Sequence, residues 1–150
     1  MPRQVLSDQV LSNPPVRAWL GLLRSYRSLT RELSARLLAH HGLTQNDYEV
    51  LAQLSRAEGG RLRRVDLAER LMLTPSGITR LLDGLQRCGY VEKATCDSDA
   101  RVTYAVITEP GYEKLAEASE SHLADIEAAL GCLAAEELAT LGELPSRLRT

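Results

Sequence analysis

The 150-residue sequence contains no phenylalanine, one tryptophan and five tyrosines. A hydrophobic core must therefore be built mainly from leucine, alanine, valine and isoleucine, which suits packed helices better than a sandwich of aromatic-rich strands. No apolar run approaches the roughly 18 residues of a membrane span, and the N-terminus lacks the apolar segment of a secretory signal. We expect one structural unit that stays in the cytoplasm.

Cysteine is also scarce. Cys88, Cys96 and Cys132 are odd in number and show no C-x-x-C spacing, which argues against a disulfide framework or a zinc site. A glycine-rich phosphate loop, a nucleophile elbow and a cluster of His, Cys and carboxylates at ligand spacing are missing too. The adjacent His40 and His41 fit the negative end of a helix better than a metal site. We therefore expect a protein that is not an enzyme and holds no metal or cofactor.

The net charge of −2 is unevenly distributed. Residues 1–55 hold six Lys/Arg and four Asp/Glu, residues 56–101 hold nine and seven, and residues 102–150 hold three and nine. The acidic residues are therefore concentrated in the last third of the chain, and the segment 56–101 is mildly basic. Because affinity for nucleic acid depends on local positive charge that meets phosphate, the middle segment stays eligible as a DNA-binding surface.

A long helix is predicted from Val16 to about His41, behind a loose arm at residues 1–13, because apolar residues recur there at intervals of three and four. Further apolar residues lie off the main stripe: Leu22, Leu29 and Leu38. A second apolar side indicates that the helix packs against a partner subunit. Gly42 is the expected C-cap.

The next segment begins with Thr44 as an N-cap and Asp47 three residues on, a relative of the capping box. This helix should continue to about Arg56 and end at Glu58-Gly59-Gly60. Because two glycines precede it, the arginine-rich stretch 61–64 is interpreted as a surface loop.

The chain then shows a short helix from Val65 to about Leu71, a turn at Met72-Leu73 and a second helix that opens with Thr74 as its cap and Pro75 as its first residue. The inward stripe of that second helix is Ile78, Leu81, Leu82 and Leu85. Strand patterns at 90–95 and 102–107 follow, joined by a polar connection that is too long for a tight turn and should project as a wing. The fold class is therefore mainly α with a small β-wing, a winged helix-turn-helix whose outer helix fits the major groove of DNA.

Two more helices are expected at the end of the chain. Thr108 caps the first, whose predicted stripe is Tyr112, Leu115, Ala116, Ser119, Leu123, Ile126 and Leu130. After Gly131 a final helix should run to about Leu148, with a kink or an early end where Gly142 and Pro145 interrupt it.

This order of elements resembles the MarR family of bacterial transcription regulators over about residues 15–140. The residues that carry the resemblance are Leu67-Ala68-Glu69-Arg70-Leu71, Thr74-Pro75-Ser76-Gly77-Ile78-Thr79-Arg80-Leu81-Leu82-Asp83, Asp99-x-Arg101 and Ile107-Thr108-Glu109-x-Gly111. The interruption at Gly142 and Pro145 departs from the family's usual unbroken last helix, which affects the detail of the dimer interface.

The resemblance implies an obligate homodimer, in which residues 16–41 and 109–148 form a helical dimerisation region and residues 44–107 form the DNA-binding lobe. It also implies binding to a pseudo-palindromic operator. Many members are repressors that a small ligand, often aromatic or phenolic, releases from DNA. We therefore expect a dimeric, sequence-specific transcription regulator of the repressor type.

DNA contacts are expected from two places. On the second helix of the motif, Ser76, Thr79 and Arg80 face outward near the N-terminal end, where such helices meet base edges, and Thr74 at the helix start can hold a phosphate. Asp83 would repel phosphate, so we expect it to pair with Arg80 or Arg87. On the wing, Arg101 is expected in the minor groove, and by family resemblance Asp99 braces it.

Arg61, Arg63 and Arg64 could touch phosphates or simply solubilise a loop, and both interpretations stay open. Trp19, Tyr26 and Tyr48 are candidate ligand-binding residues, since aromatic walls with a polar tip suit an aromatic acid. Ordinary packing is the alternative for each. Two other functions stay open as alternatives: a winged-helix module that binds protein, and a thiol-based regulator that uses Cys88 and Cys96.

Overall fold

The computed structural model describes residues 12–148, so the predicted arm lies, apart from its last two residues, outside the described part of the chain. The helices are α1 (Pro14–His41), α2 (Gln45–Arg56), α3 (Arg64–Arg70), α4 (Pro75–Arg87), α5 (Glu109–Leu130) and α6 (Ala135–Glu143). The strands are β1 (Arg61–Arg63), β2 (Val91–Thr95) and β3 (Thr103–Ile107), and short 3-10 turns occupy Glu58–Gly60 and Leu144–Leu148. The predicted mainly helical class with a small wing is confirmed.

The helix ends follow the local signals of the sequence. Gly42 adopts a left-handed conformation (φ 67°) and its N–H bonds the Leu38 carbonyl, so the predicted C-cap of α1 is confirmed. Thr44 accepts from the N–H of Asp47 while the Asp47 carboxylate accepts from the N–H of Thr44, which completes a capping box at the start of α2. These bonds satisfy backbone groups that the helix itself leaves unpaired.

The sheet has three antiparallel strands in the order β1-β3-β2. The loop predicted for residues 61–64 is wrong, because Leu62 pairs with Ala105 and Arg63 pairs with Tyr104 along the free edge of β3. Three residues are too few to show an alternating pattern, and the pairing partner lies more than 40 positions away. The two wing strands, β2 and β3, pair as predicted from Val91 opposite Ile107 to Thr95 opposite Thr103.

The hydrophobic core lies between the helix-turn-helix, the sheet, α2 and the facing parts of α1 and α5. Its buried apolar members are Leu37, Leu43, Val50, Leu51, Leu54, Leu67, Ile78, Leu82, Leu85, Val91, Ala105, Ile107 and Ala118. The stripe predicted for α5 is displaced in the structure: Tyr112, Ala116 and Leu123 are exposed, whereas Gly111, Ala118 and His122 are buried. Packing against α1 and α2 selects the face that carries the small residues and the histidine.

The first part of α1 and all of α6 lie outside this core. Large apolar side chains of these two segments, and of the 3-10 turn that follows α6, remain exposed on the single chain, among them Trp19, Leu22, Tyr26, Leu138, Leu141, Leu144 and Leu148. The helix α6 ends at Glu143 and a 3-10 turn follows, so the early end expected near Gly142 and Pro145 is confirmed. Among residues 12–148, every helix is too short or too polar to span a lipid bilayer.

Candidate nucleic-acid interface

The start of α4 is fixed by its cap and its first residue. The Thr74 hydroxyl accepts from the N–H of Gly77 at 3.0 Å, and Pro75 follows at the first helical position. Proline fits there because its missing N–H would have had no partner inside the helix. Ile78, Leu82 and Leu85 are buried against the core. The opposite, polar side of the helix is thereby turned outward.

The three residues expected to contact bases differ in exposure and in the partners that their side chains already have. Ser76 and Arg80 are exposed, and no ion pair found within residues 12–148 involves Arg80. The Thr79 hydroxyl, by contrast, donates to the Pro75 carbonyl at 2.8 Å and accepts from Nη1 of Arg64 at 3.4 Å. The Ser76 hydroxyl is exposed but lies 3.2 Å from the Thr74 hydroxyl, with which it shares a hydrogen bond. Of the three side chains, Arg80 is therefore the one whose hydrogen-bond donors stay available within residues 12–148.

The two arginines at the start of α3 are already engaged with neighbouring groups. Arg63 donates from Nε and Nη2 to the two carboxylate oxygens of Asp66, both at 2.8 Å. This hydrogen bonding holds the pKa of Asp66 below its usual value. Arg64 bridges to Thr79 and so links α3 to α4. A phosphate that met Arg63 would have to share its guanidinium with Asp66.

The wing ends in a short polar tip between β2 and β3. There the Arg101 guanidinium lies against the carboxylate of Asp99, with Nε at 3.1 Å from Oδ1. The side chain of Arg101 is 92% exposed. The hydrogen bonds from Arg101 hold the pKa of Asp99 below its usual value. The wing thus presents Arg101 to solvent, and the ionised carboxylate of Asp99 holds its guanidinium in place.

Asp83 pairs with a residue that the sequence did not indicate. Its carboxylate accepts from Nζ of Lys93 at 2.5 Å, so the predicted pairing with Arg80 or Arg87 is wrong. The reason is that α4 packs against β2 and brings Lys93 within reach. The hydrogen bond from Lys93 is the main cause of a lowered pKa of Asp83, and Arg87 contributes only through its charge. Lys93 therefore neutralises the one carboxylate on the polar side of α4 and leaves Arg80 free.

The candidate ligand residues do not meet in one place. A cleft of about 680 Å³ lies between α1 and the helix-turn-helix, and Tyr26 lines it together with Leu38, Arg70 and Met72. Neither Trp19 nor Tyr48 lines this cleft. Trp19 is 59% exposed on α1. Tyr48 turns toward α5, where its hydroxyl lies 3.0 Å from Oγ of Ser119 and its ring packs edge-on against His122.

The cysteines and histidines occupy other surroundings. Cys88, Cys96 and Cys132 are all free thiols, and hydrogen bonds led by the Ser98 hydroxyl lower the pKa of the Cys96 thiol. His41 contacts Oγ of Ser121 through Nε2 at 2.6 Å. Within residues 12–148, no three His, Cys, Asp or Glu side chains are grouped so that they could hold a metal ion.

An exposed polar helix face above a buried stripe, followed by an arginine-tipped wing, defines a winged helix-turn-helix DNA-binding protein. A model of the MarR family matches residues 41–102. The HTH-type transcriptional repressor YetL of Bacillus subtilis is 32% identical over 114 residues, which cover 73% of this chain and 68% of that protein.

Two solved structures from Streptomyces coelicolor extend the likeness over almost the whole chain. AbsC, a MarR family transcriptional regulator, is 33% identical with a TM-score of 0.82, and the match covers 95% of this chain and 93% of AbsC. Sco3205, a MarR family regulator solved in complex with DNA, is 26% identical with a TM-score of 0.84, with 99% and 89% covered. The chain belongs to the MarR family of transcriptional regulators, a family of DNA-binding proteins rather than enzymes.

Proposed function

We propose that the protein acts in the cytoplasm as a homodimeric, sequence-specific repressor that a small aromatic or phenolic ligand releases from its operator. The observation that carries the proposal is the exposed polar face at the start of α4, where Arg80 is unpaired within residues 12–148 and the nearby acid Asp83 is neutralised by Lys93. A helix of this kind inserts its N-terminal residues into the major groove.

Each contact residue has a distinct proposed role. Arg80 offers two parallel N–H groups to O6 and N7 of a guanine, and Ser76 contacts a neighbouring base edge. Because its hydroxyl is engaged, Thr79 offers its methyl group, which suits the methyl of thymine. Thr74 holds a phosphate at the helix start.

The wing and the start of α3 contribute contacts outside the major groove. Arg101 enters the adjacent minor groove, where a narrow width concentrates negative potential, and Asp99 holds it in position. Arg63 and Arg64 contact phosphates and fix the register without reading sequence.

Dimerisation is supported by the apolar side chains that a single chain leaves uncovered on α1 and α6. Patches of this kind mark interaction surfaces on otherwise polar proteins. In the proposal, residues 16–41 and 109–148 form the dimerisation region and residues 44–107 the DNA-binding lobe. A two-fold arrangement would place the two α4 helices about one duplex turn, ~34 Å, apart. Sedimentation equilibrium should give twice the mass of one chain, and a monomer would contradict the proposal.

Ligand release is supported by the cleft between α1 and the helix-turn-helix. Its volume of about 680 Å³ lies within the usual range of small-molecule sites. Because its lining comes from α1, from the start of α2 and from the α3–α4 turn, a bound ligand would alter the position of α4 relative to the dimerisation region. Tyr26 is the aromatic wall of this cleft. Trp19 and Tyr48 remain candidates only for a second part of the site, since they lie away from it.

The proposal is tested by fluorescence anisotropy with DNA from the chain's own promoter region. Arg80→Ala and Arg101→Ala should each weaken binding by roughly tenfold or more, since a lost base contact costs about 1–3 kcal/mol. Arg31→Ala, an exposed arginine of α1, is the matched control and should bind like the parent. Equal binding by all four proteins would show that α4 and the wing do not carry the interaction.

Effector binding needs a separate measurement. Salicylate and urate should raise the melting temperature of the parent protein, because a ligand that binds only the native state stabilises it, and should lower its affinity for promoter DNA. Tyr26→Ala should reduce both effects. A melting temperature unchanged by either compound, with Tyr26→Ala indistinguishable from the parent, would remove the support for an aromatic acid as effector.

A further inference from the structure

A second cavity, distinct from the ligand cleft, lies where α2 ends, on the side of the sheet that carries β1. Its volume is about 690 Å³. Three arginines line it, Arg56 from α2, Arg61 from β1 and Arg70 from α3, together with the single carboxylate of Glu58. No residue of α4 or of the wing tip belongs to its lining. We call it the arginine cavity.

Two of the three guanidinium groups are held in place by contacts that leave most of their N–H donors unused. The guanidinium carbon of Arg61 lies 4.3 Å from the ring centroid of Tyr104 in β3, a cation–π contact that engages the ring face. Nη1 of Arg70 donates to Oε1 of Gln53 at 3.0 Å. Since a guanidinium carries five N–H donors, both groups retain donors for a ligand.

The lining of the arginine cavity has more positive than negative charge, unlike the surroundings of the three arginines that form ion pairs. Arg36 pairs with Glu32 and Asp125, Arg63 with Asp66 and Arg101 with Asp99. Within residues 12–148, no ion pair includes Arg56, Arg61 or Arg70. Three positive groups therefore face one carboxylate, and the lining carries a net charge of +2. Like charges that share a concave site repel one another unless an anion joins them.

We propose that the arginine cavity binds a small molecule through a phosphate monoester group. A phosphate monoester carries a charge of about −1.5 to −2 at neutral pH, which matches the lining. The planar guanidinium fork bonds phosphate oxygens in pairs. The volume leaves room for the organic part of the ligand beside the phosphate, and Leu62, which also lines the arginine cavity, supplies an apolar surface for it.

A phosphodiester of the DNA backbone is the other source of the same chemistry, but it carries only one negative charge. It would leave part of the positive charge of the arginine cavity unmatched. The proposal therefore concerns a free ligand, and it is independent of the effector cleft proposed above. Arg70 lines both the arginine cavity and the effector cleft. The test therefore relies on Arg56 and Arg61, which line the arginine cavity but not the effector cleft.

The experiment is isothermal titration calorimetry of the full chain with phenyl phosphate, in a phosphate-free buffer of low ionic strength and without DNA. The double variant Arg56→Gln/Arg61→Gln should lose at least tenfold in affinity, because hydrogen bonds to charged groups are among the stronger ones. Glu58→Gln should gain severalfold, because it removes the one negative charge of the lining. Arg31→Gln is the matched control and should bind like the parent.

Misfolding could explain a loss of affinity in the double variant, but it cannot explain the gain in affinity expected from Glu58→Gln. Phenyl phosphate affinity that is equal in the parent, the double variant and Glu58→Gln would overturn the proposal. Absence of phenyl phosphate binding by the parent would also overturn it, and a weaker salt dependence of DNA binding in the double variant would then indicate a DNA backbone contact.

Discussion

Asp99 accepts three hydrogen bonds from Arg101, two positions further along the wing tip. The main-chain N–H lies 3.0 Å and Nε 3.1 Å from Oδ1, and Nη2 lies 3.4 Å from Oδ2. The carboxylate thus ties the backbone of the tip to the guanidinium that the wing presents. Aspartate is ionised at neutral pH already at its ordinary pKa, and the hydrogen bonds from Arg101 lower the pKa of Asp99 further, so the brace is present at neutral pH.

Removal of the brace should weaken DNA binding less than removal of the arginine itself. An exposed ion pair contributes little free energy because solvent screens it, so Asp99→Ala should lower affinity by only roughly two- to fivefold. Arg101→Ala should lower affinity roughly tenfold and reduce the slope of log affinity against log salt, because one positive charge no longer replaces counterions at the minor groove. Anisotropy titrations at several salt concentrations measure both quantities.

The double variant Asp99→Ala/Arg101→Ala distinguishes a brace from simple charge repulsion. If Asp99 acts only through Arg101, the double variant should bind like Arg101→Ala alone. Tighter binding by Asp99→Ala than by the parent would mean that the carboxylate repels the DNA, and the bracing role would be wrong.

Gly111 lies where the first turn of α5 crosses the end of the helix-turn-helix. A Cβ added there would overlap the main-chain carbonyl of Tyr90 and lie 2.8 Å from Cγ1 of Ile107. Because the obstacle is backbone, Gly111→Ala must push α5 away from the sheet, and overpacking of this kind costs about 1–3 kcal/mol. Urea denaturation should show the free energy of unfolding reduced by that amount.

Gly84 provides the matched control within α4. A Cβ there meets only the end of the Arg87 side chain at 3.9 Å. Gly84→Ala should therefore raise the free energy of unfolding by about 0.5–1 kcal/mol, the usual difference between the two residues in a helix. If Gly111→Ala were as stable as the parent, the close contact between α5 and Tyr90 would be wrong.

Met72 holds a left-handed conformation (φ 51°) in the turn between α3 and α4, and its side chain is 93% exposed. For a residue with a Cβ this conformation costs roughly 1–2 kcal/mol. Met72→Gly removes that cost but adds backbone freedom to the unfolded chain, so a net gain in stability of about 0.5 kcal/mol is expected. Met72→Ala keeps the Cβ and should leave the free energy of unfolding unchanged. Equal stability of the two variants would contradict strain at this turn.

Local signals were the part of the fold that the sequence predicted well. Thr44, Thr74 and Thr108 each cap the helix that follows, and each hydroxyl accepts from the N–H three residues on. These contacts depend on a few adjacent residues, so a single sequence contains all the information they need. The turn at Met72 and the wing strands follow from the same kind of local pattern.

Contacts between segments that are distant in the sequence could not be predicted from it. The helical spacing predicts that Asp83 pairs with Arg80 or Arg87, three or four residues away on its own helix, whereas Lys93 reaches it from β2. The strand β1 exists because β3 offers it an edge. The three arginines of the arginine cavity come from three different elements, so no sequence spacing unites them. In each case the tertiary packing, rather than the local preference, decides which groups meet.

His122 is the buried residue that the predicted stripe of α5 omitted, and it should make the stability of the fold depend on pH. It is 2% exposed, with Tyr48 of α2 edge-on at 4.7 Å, and it interacts with the charges of Asp125 and His41. Within the described residues, its Nδ1 has no hydrogen-bond partner. Burial, which disfavours the charged imidazolium, is the main cause that lowers the pKa of His122 below its ordinary 6.5.

Since the unfolded chain holds a proton on this histidine at pH values where the folded chain does not, stability rises with pH in that window. The free energy of unfolding should therefore be at its full value above about pH 6.5 and fall as the pH drops below it, until the folded-state pKa is reached. Urea titrations between pH 7.5 and 5.0 measure the decline. His122→Gln should show a shallower decline than the parent, whereas His40→Gln, a change at an exposed histidine, should follow the parent. If the parent and His122→Gln declined in parallel, the protonation of His122 would not be coupled to folding.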